Sequence, residues 1–213
     1  MAEEPRRIVV WRHGRTAWNN ERRFQGGSDQ PLDETGVAQA DSAARDLERF
    51  DPAALVTSDS LRASQTAAAL ASRCGLAPVL DPRLREADLG AWEGLTRAQV
   101  AERFPQEYTS WRQGLDVRRG GGETYLEVAR RAEAALAEAL TALEPGRTLV
   151  AVTHGGTARA AIGRSLDLDP ASWCRLGTLG HGRWAVLEEE PFGWRLAEHN
   201  VRPRRPPFFD PAA

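Results

Sequence analysis

The chain has 213 residues, 41% of them hydrophobic and 27% charged, which is enough to bury the core of one ordinary globular domain. Its 28 basic and 30 acidic residues give a formal net charge of -2, which argues against nucleic acids and membrane surfaces as partners. Two distant cysteines suggest neither a zinc site nor a disulfide framework, and no apolar run suits a membrane span or a secretory signal, so we expect a cytoplasmic protein.

Short apolar runs alternate with longer segments of helical periodicity, which is the pattern of an α/β domain with a mainly parallel sheet. Strands are predicted at 8–11, 54–56, 77–80, 149–152, 184–187 and 194–196. Helices are predicted at 35–49, 59–73, 123–143 and 155–166. The runs at 8–11 and 149–152 are apolar throughout, which predicts strands that are covered on both faces.

The segment 96–114 has weaker helical periodicity and contains Pro105. We expect a small helical cap there, inserted at about 95–122, of the kind that shapes substrate pockets. Residues 1–200 are expected to form a single domain. The last stretch, 201–213, holds four prolines and two adjacent phenylalanines, and we expect it to be an irregular tail.

Two of the four histidines share one local pattern, in which an apolar strand is followed by histidine and then glycine. IVVWRHGRT surrounds His13, and LVAVTHGGT surrounds His154. Because parallel strands present their carboxyl ends at one edge of the sheet, we expect both imidazoles in one crevice. Gly14 and Gly155 allow a sharp turn there, and a helix that begins at this point offers N–H groups to an anion. Arg12 adds a cation that is costly to bury unless an anion meets it.

The segment WRHGRTAWN at 11–19 resembles the Arg-His-Gly signature of the histidine phosphatase superfamily, which has the phosphoglycerate mutase-like fold. Three further segments resemble motifs of that family in the family's order: TSDSLRASQTA at 57–67, LREADLGAWEG at 84–94 and VAVTHGG at 150–156. The resemblance therefore extends over most of the chain. It implies a three-layer α/β/α architecture.

The resemblance also implies a function, namely metal-independent hydrolysis of small phosphomonoesters through a phosphohistidine. By similarity, His13 is the nucleophile and Glu86 the proton donor, while Arg12, Arg62 and His154 form the phosphate pocket. Further substrate contacts are expected from Asn19, Gln25, Gly26 and Gly155. No cofactor and no metal ion are implied. The implied partners are a small phosphorylated metabolite and, as a homodimer, a second copy of the chain.

The physical chemistry of the reaction agrees with these roles. A nucleophilic imidazole must be neutral, which neighbouring cations favour, and a backbone carbonyl is expected to fix its tautomer. Phosphoryl transfer needs positive charge around the equatorial oxygens, which the forked donors of Arg12 and Arg62 supply, with His154 as a further donor. The leaving alkoxide needs a proton from Glu86, whose rivals are Asp88 and Glu93.

Several alternatives stay open at this point. A phosphoglycerate mutase is disfavoured because the interval 95–149 lacks a long basic insert and because Arg15 stands where the family's mutases often have an acidic residue. A catalytically silent protein that binds a phosphorylated ligand is a second alternative, and a metallophosphatase is a third. His181 could approach the pocket from its loop, but the favoured interpretation is a turn residue, and Glu123 is a weaker binding candidate at the pocket rim.

Within the phosphatases, the segments 84–100 and 172–184 resemble most closely those of the glucosyl-3-phosphoglycerate phosphatases. Phosphoglycerates and sugar phosphates are the implied substrate types. A substrate carboxylate could be met by arginines of the chain, and the candidates are Arg15, Arg112, Arg118 and Arg119.

Overall fold

The computed structural model of the chain describes residues 4–204. Within that range, six strands form one sheet: β1 (Arg7–Arg12), β2 (Pro52–Thr57), β3 (Val79–Leu80), β4 (Thr148–Thr153), β5 (Trp184–Glu190) and β6 (Gly193–Val201). Their order in the sheet is β3-β2-β4-β1-β5-β6. The first four strands are parallel, and β5 and β6 are antiparallel. The prediction of a mainly parallel sheet is confirmed.

The helices are α1 (Ala17–Asn20), α2 (Glu34–Leu47), α3 (Leu61–Cys74), α4 (Arg97–Arg103), α5 (Pro105–Arg112), α6 (Tyr125–Thr141) and α7 (Gly155–Ser165). The strand predicted at 77–80 is wrong in length, because only Val79 and Leu80 pair with β2 and Pro78 has no N–H for the ladder. The helix predicted from 123 begins at Tyr125, because the hydroxyl of Thr124 accepts from the N–H of Glu127 and caps the helix there.

The side chains of β1 alternate between two hydrophobic cores. Ile8 and Val10 pack on the face covered by α6 and α7, and Val9 and Trp11 on the face covered by α2 and α3. All four are at most 1% exposed. Residues 149–152 of β4 divide between the two cores in the same way. Helices on both faces explain the uninterrupted apolar runs and make the α/β/α architecture three layers deep.

A third hydrophobic cluster lies under α4 and α5. Trp92 is fully buried there, and its ring contacts those of Phe24, Phe104, Tyr108 and Trp111. Pro105 is the first residue of α5, where its missing N–H breaks no helical hydrogen bond. Two short helices thus stand where the cap is predicted. The domain limits 1–200 and the cap limits 95–122 stay predictions.

At the carboxyl end, Val201 still belongs to β6. The remainder of the predicted tail from 205 to 213 lies outside the described residues. Between residues 4 and 204, no helix is both long enough and apolar enough to span a lipid bilayer.

Candidate active site

The sheet topology brings His13 and His154 together. Each follows one of two neighbouring parallel strands, β1 and β4, which are in register so that Arg12 lies opposite Thr153. The backbone N–H of His13 donates to the carbonyl of Thr153 at 3.0 Å. The two imidazole centroids are 5.0 Å apart. Both rings thus share one crevice at the carboxyl edge of the sheet, as the sequence predicts.

The hydrogen bonding of His13 defines its tautomer. Nδ1 lies 2.6 Å from the carbonyl oxygen of Gly14, and since a carbonyl only accepts, Nδ1 carries the proton and Nε2 the lone pair. The side chain is buried. Burial, followed by neighbouring His154 and Arg62, holds the pKa of His13 well below its usual 6.5. The imidazole is therefore a neutral base at neutral pH.

His154 is fully buried, and both of its ring nitrogens contact the protein. Nδ1 accepts from Nε of Arg62 at 3.2 Å, so the proton is on Nε2, which donates to the hydroxyl of Ser58 at 3.0 Å. Burial, reinforced by the charge of Arg62, holds the pKa of His154 well below 6.5. The sequence predicted a further donor to the phosphate. In the structure His154 holds Arg62, and its expected contact with the phosphate stays a prediction.

Arg62 is the second residue of α3 and is only 1% exposed. Besides Nε, its Nη1 donates to the carbonyl of Ser28 at 2.8 Å and its Nη2 to that of Gly26 at 2.9 Å. A guanidinium has five N–H donors, so these three bonds leave two for a ligand. With Gly26 and Glu86, Arg62 lines a pocket of about 90 Å³. Arg62 therefore holds both the chain segment at 26–28 and the imidazole of His154.

Arg12 has two of its nitrogens bonded to the loop before β5. Nη1 donates to the carbonyl of Leu179 at 2.6 Å, and Nη2 donates to Nε2 of His181 at 2.7 Å. Nε is buried and has no hydrogen-bond partner among the described residues. Burial lowers the pKa of Arg12 to about 10, so the group is still a cation at neutral pH. A partly buried cation with a buried, unused donor is suited to an incoming anion.

The prediction for His181 as a turn residue needs correction. The residue lies in a turn, but its ring centroid is 5.8 Å from that of His13 and its Nε2 accepts from Arg12. Burial and the charge of Arg12 hold the pKa of His181 well below 6.5, which keeps it an acceptor. An approach of His181 to the pocket was the less favoured of two interpretations, because nothing local to residue 181 indicates that its loop meets β1.

Glu86 occupies the amino end of α7. Its carboxylate accepts from the backbone N–H groups of Ala87 at 2.9 Å, Gly156 at 2.9 Å and Thr157 at 3.1 Å, and from the Thr157 hydroxyl at 3.3 Å. A Cβ at position 156 would lie 2.5 Å from a Glu86 oxygen and would displace the carboxylate from this position. The second histidine motif thereby positions the expected proton donor.

A cavity of about 340 Å³ joins these groups. Its wall includes Arg12, His13, Glu86 and Gly155, and also Asn19 and Gln25. Oε1 of Gln25 accepts from Asn19 Nδ2 at 3.3 Å and from the Thr16 hydroxyl at 2.9 Å. Nε2 of Gln25 is buried without a partner in the described part of the chain, so it is a second unused donor on this wall. Of the nine predicted site residues, six line this cavity and the others lie directly behind or beside it.

The sequence profile of the histidine phosphatase superfamily (branch 1) matches residues 8–202. The chain belongs to the histidine phosphatase superfamily. It is 38% identical over 211 residues to the glucosyl-3-phosphoglycerate phosphatase of Mycobacterium tuberculosis. That alignment covers 92% of this chain and 95% of the mycobacterial protein. A probable phosphoglycerate mutase of Enterobacter sp., GpmB, is 39% identical over 153 residues, covering 70% of this chain and 69% of that one.

Among solved structures, a mycobacterial glucosyl-3-phosphoglycerate phosphatase in complex with VO3 superposes with a TM-score of 0.86 at 40% identity, covering 92% of this chain and 99% of that one. The α/β fold and the family resemblance predicted from the sequence are confirmed. This histidine phosphatase is a phosphoric monoester hydrolase that acts on small phosphoesters.

The acidic rivals of Glu86 contact the loops around the pocket. Glu93 accepts from the backbone N–H of Gly27 and so supports the loop at 26–28. Asp88 accepts from the N–H of Gly90 at 2.8 Å. Glu123 forms an ion pair with Arg131 at 2.8 Å and does not line the cavity. Of these acids, only Glu86 reaches the wall that also contains His13.

The outer wall of the histidine phosphatase cavity is strongly cationic. It contains five arginines besides Arg12, namely Arg23, Arg97, Arg112, Arg119 and Arg159. Of the four arginines predicted to meet a carboxylate, Arg112 and Arg119 line the cavity. Arg15 instead pairs with Asp33 at 2.8 Å, and Arg118 with Glu127 at 2.6 Å, so the structure does not bring these two to the site.

Two of the outer arginines have unused donors. Nε of Arg119 and Nε of Arg159 are both buried without a partner in the range 4–204. The guanidinium of Arg119 lies 4.0 Å from the centroid of the Tyr125 ring, which fixes it in the wall. Sequence reasoning missed Arg159, although it stands four residues after Gly155 and so on the same face of α7.

The buried histidines predict a loss of stability in acid. Because the folded-state pKa values of His13 and His154 lie well below 6.5, the unfolded chain takes up protons below that pH that the folded chain does not. The free energy of unfolding should therefore fall with pH below about 6.5, by up to about 1.4 kcal/mol per pH unit for each histidine. Denaturant titrations above and below this pH measure the slope.

The control for this slope is His199→Asn, compared with the double variant His13→Asn/His154→Asn. His199 is bonded to the carbonyl of Gly177 and lies outside the cavity wall. The double variant should have a shallower slope below pH 6.5 than the wild type, and His199→Asn an unchanged one. Equal slopes in all three proteins would contradict neutral, buried imidazoles.

Proposed function

We propose that this phosphatase removes the phosphate from phosphorylated glycerates, with glucosyl-3-phosphoglycerate as its principal substrate, through a phosphohistidine on His13 and without a metal ion. The observation that carries the proposal is the neutral His13, whose Nδ1–H is bonded to the Gly14 carbonyl so that the lone pair is on Nε2. The base is thus fixed in the form that attacks phosphorus.

In the first step, the Nε2 lone pair forms a bond to phosphorus while the ester P–O bond breaks, and Glu86 gives its proton to the departing alkoxide. In the second step, water attacks phosphorus, Glu86 takes up the proton of that water, and the N–P bond electrons return to Nε2. Inorganic phosphate leaves and His13 is regenerated. The partly buried cation of Arg12 and the buried cation of Arg62 stabilise the charge on the equatorial oxygens in both steps.

The outer arginines support a substrate with a second negative group. Arg12 and Arg62 provide charge for one phosphate, whereas Arg112, Arg119 and Arg159 are further cations in the wall that contains Arg12. Two unused, buried Nε donors there are suited to a carboxylate, which guanidinium groups bind in a planar, bidentate manner. A phosphoglycerate carries its carboxylate two carbons from the phosphate ester. The relatives named glucosyl-3-phosphoglycerate phosphatases support the same substrate class.

The experiment that tests the proposal measures phosphate release, with no added metal, from glucosyl-3-phosphoglycerate, 3-phosphoglycerate and p-nitrophenyl phosphate. We expect turnover of all three, with the highest kcat/KM for the glucosylated compound. Conversion of 3-phosphoglycerate to 2-phosphoglycerate without phosphate release would establish a mutase instead. Binding without release from any compound would establish a silent binding protein, and activity only with an added divalent ion would contradict the proposed chemistry.

The same panel tests Glu86 through the substitution Glu86→Gln. p-Nitrophenolate leaves without help from an acid, whereas a glycerate alkoxide needs the proton. We therefore expect kcat/KM to fall by roughly 100-fold or more for both glycerate substrates and by less than about tenfold for p-nitrophenyl phosphate. Asp88→Asn is the matched control and should leave kcat/KM unchanged for all three substrates. An equal loss on all three substrates would show that Glu86 acts on the phosphate pocket rather than on the leaving group.

We further propose that the protein is a cytoplasmic homodimer. The surface that supports a dimer is the edge strand β3, where Val79 and Leu80 are 64% and 59% exposed. Two adjacent exposed aliphatic side chains at a sheet edge are unfavourable in water and suited to cover by a second copy.

A further inference from the structure

A second cavity adjoins the one that contains His13. It has a volume of about 250 Å³, and four of its wall residues, Trp111, Arg112, Tyr125 and Arg159, also line the larger cavity. The rest of its wall consists of Gly114, Asp116, Pro170, Trp173 and Cys174. We refer to it as the side chamber.

We propose that the side chamber binds a neutral, polyhydroxylated ring, such as a hexose, attached to the phosphorylated glycerate. This inference rests on the function proposed above and names the part of the site that recognises the sugar. Small-molecule sites usually have volumes of about 300–1,000 Å³. The side chamber alone is below that range and the larger cavity is near its lower end, so a ligand that extends through both accounts for the shared wall.

The distribution of charge separates the two ends of such a ligand. Arg112 and Arg159 stand at the junction, in the walls of both cavities, whereas the residues found only in the side chamber include no cation. The one ionisable carboxylate there, Asp116, accepts from the backbone N–H groups of Tyr125 at 2.6 Å and Leu126 at 3.4 Å and so fixes the wall. Negative groups of the substrate therefore belong in the cavity and at the junction, and a neutral group belongs beyond them.

Aromatic side chains make the side chamber suited to a sugar ring. Trp111 and Tyr125 contribute flat apolar surfaces on which the C–H face of a pyranose packs, and the almost fully buried Trp173 completes the apolar wall. They are held in place before a ligand arrives: Nε1 of Trp173 donates to the carbonyl of Leu168 at 3.0 Å, and Arg119 covers one face of Tyr125. Fixed aromatic walls keep the entropic cost of binding low.

The connectivity of the substrate fits this division. In 3-phosphoglycerate the hydroxyl that is free for glycosylation is on the carbon between the carboxylate and the phosphorylated carbon. A sugar attached to that hydroxyl therefore projects from the carbon next to the carboxylate. With the phosphate at His13 and the carboxylate at Arg112 and Arg159, a sugar on the carbon between them can enter the side chamber, whose wall includes the same two arginines.

The test fills the side chamber without touching the catalytic groups. Cys174 lies in its wall, is exposed, and does not line the larger cavity. We expect Cys174→Phe to reduce kcat/KM for glucosyl-3-phosphoglycerate by about tenfold or more, a loss of about 1.4 kcal/mol, and to leave 3-phosphoglycerate and p-nitrophenyl phosphate within about twofold. Cys174→Ser, which leaves the chamber open, should leave all three substrates unchanged.

Alkylation of Cys174 after folding provides a second way to fill the chamber, in a Cys74→Ser background so that only one thiol reacts. It should reproduce the selective loss. Equal losses on all three substrates, or no loss on the glucosylated one, in the alkylated protein would overturn the inference. A wild-type protein that prefers the glucosylated substrate, but whose alkylated form keeps that preference, would overturn this inference alone. A wild type without the preference would also contradict the proposed principal substrate, and one that hydrolyses none of the three would overturn the proposed phosphatase function as well.

Discussion

Replacing His13 by alanine is expected to reduce kcat/KM for every phosphomonoester by about 10⁴-fold or more. The loss should not depend on the leaving group, because the substitution removes the atom that bonds to phosphorus. His13→Asn, which keeps a polar side chain in the buried site, should lose as much activity. This common loss separates the His13 variants from Glu86→Gln, whose effect depends on the alkoxide.

The nucleophile can be identified directly by trapping the covalent intermediate. Brief incubation with a ³²P-labelled substrate, followed by an alkaline quench that preserves phosphohistidine, should label the wild-type protein and leave both His13 variants unlabelled. His199→Ala should be labelled like the wild type, because that side chain contacts the carbonyl of Gly177 outside the cavity. Label in the His13→Ala protein would assign the nucleophile to another residue.

The fold was largely predictable because the local sequence pattern of each central strand is enough to predict it. The apolar runs at 8–11 and 149–152 have no polar face, and the sheet places both between helical layers. The errors concern short elements at the edge of the sheet or between its strands, whose length is determined by tertiary contacts. Val79 and Leu80 form a strand of two residues because Pro78 and the sheet edge limit pairing, and α1 is a single turn closed by Thr16 and Asn19, too short for a periodic pattern.

The site was predictable where a motif lies on one chain segment and less so where two segments meet. Arg12 and His13 are adjacent in sequence, and strand register alone brings His154 beside them. By contrast, the contact of His181 with Arg12 depends on a loop that is distant in sequence, and Arg159 reaches the cavity from a helix position outside every motif. The pairing of His154 with Arg62 likewise depends on the approach of α3 to the residue that precedes α7, and it adds a contact with Arg62 to the donor role that is predicted for His154.

In the site, the histidines are neutral bases and the arginines provide the positive charge. Burial keeps the imidazoles of His13, His154 and His181 neutral, while the chain, which contains no lysine, provides its positive charge through arginines. Arginine remains protonated next to other cations where lysine would give up its proton. The site can therefore collect enough positive charge for a dianion without protonating its own nucleophile.

The contacts of Arg62 lead to the second large effect, that of Arg62→Lys. Lysine keeps the charge, but a single ammonium group cannot reach the Gly26 carbonyl, the Ser28 carbonyl and Nδ1 of His154 together while it also binds phosphate. We expect kcat/KM to fall by about 100-fold or more, which is about 2.7 kcal/mol of transition-state stabilisation, on all three test substrates. Arg73→Lys at the other end of α3, where the side chain pairs with Glu48 at the surface, is the matched control and should be unaffected.

A ligand-induced shift in thermal unfolding distinguishes a lost phosphate contact from a damaged fold. Inorganic phosphate should raise the unfolding temperature of the wild type and of Arg73→Lys in a concentration-dependent way, since it binds only the folded chain. Arg62→Lys should unfold cooperatively but show little or no rise with phosphate. An Arg62→Lys protein that is stabilised by phosphate as strongly as the wild type, or that keeps its activity within about threefold, would show that the two remaining N–H groups of Arg62 do not bind the phosphate and that its part is confined to holding residues 26–28 and His154.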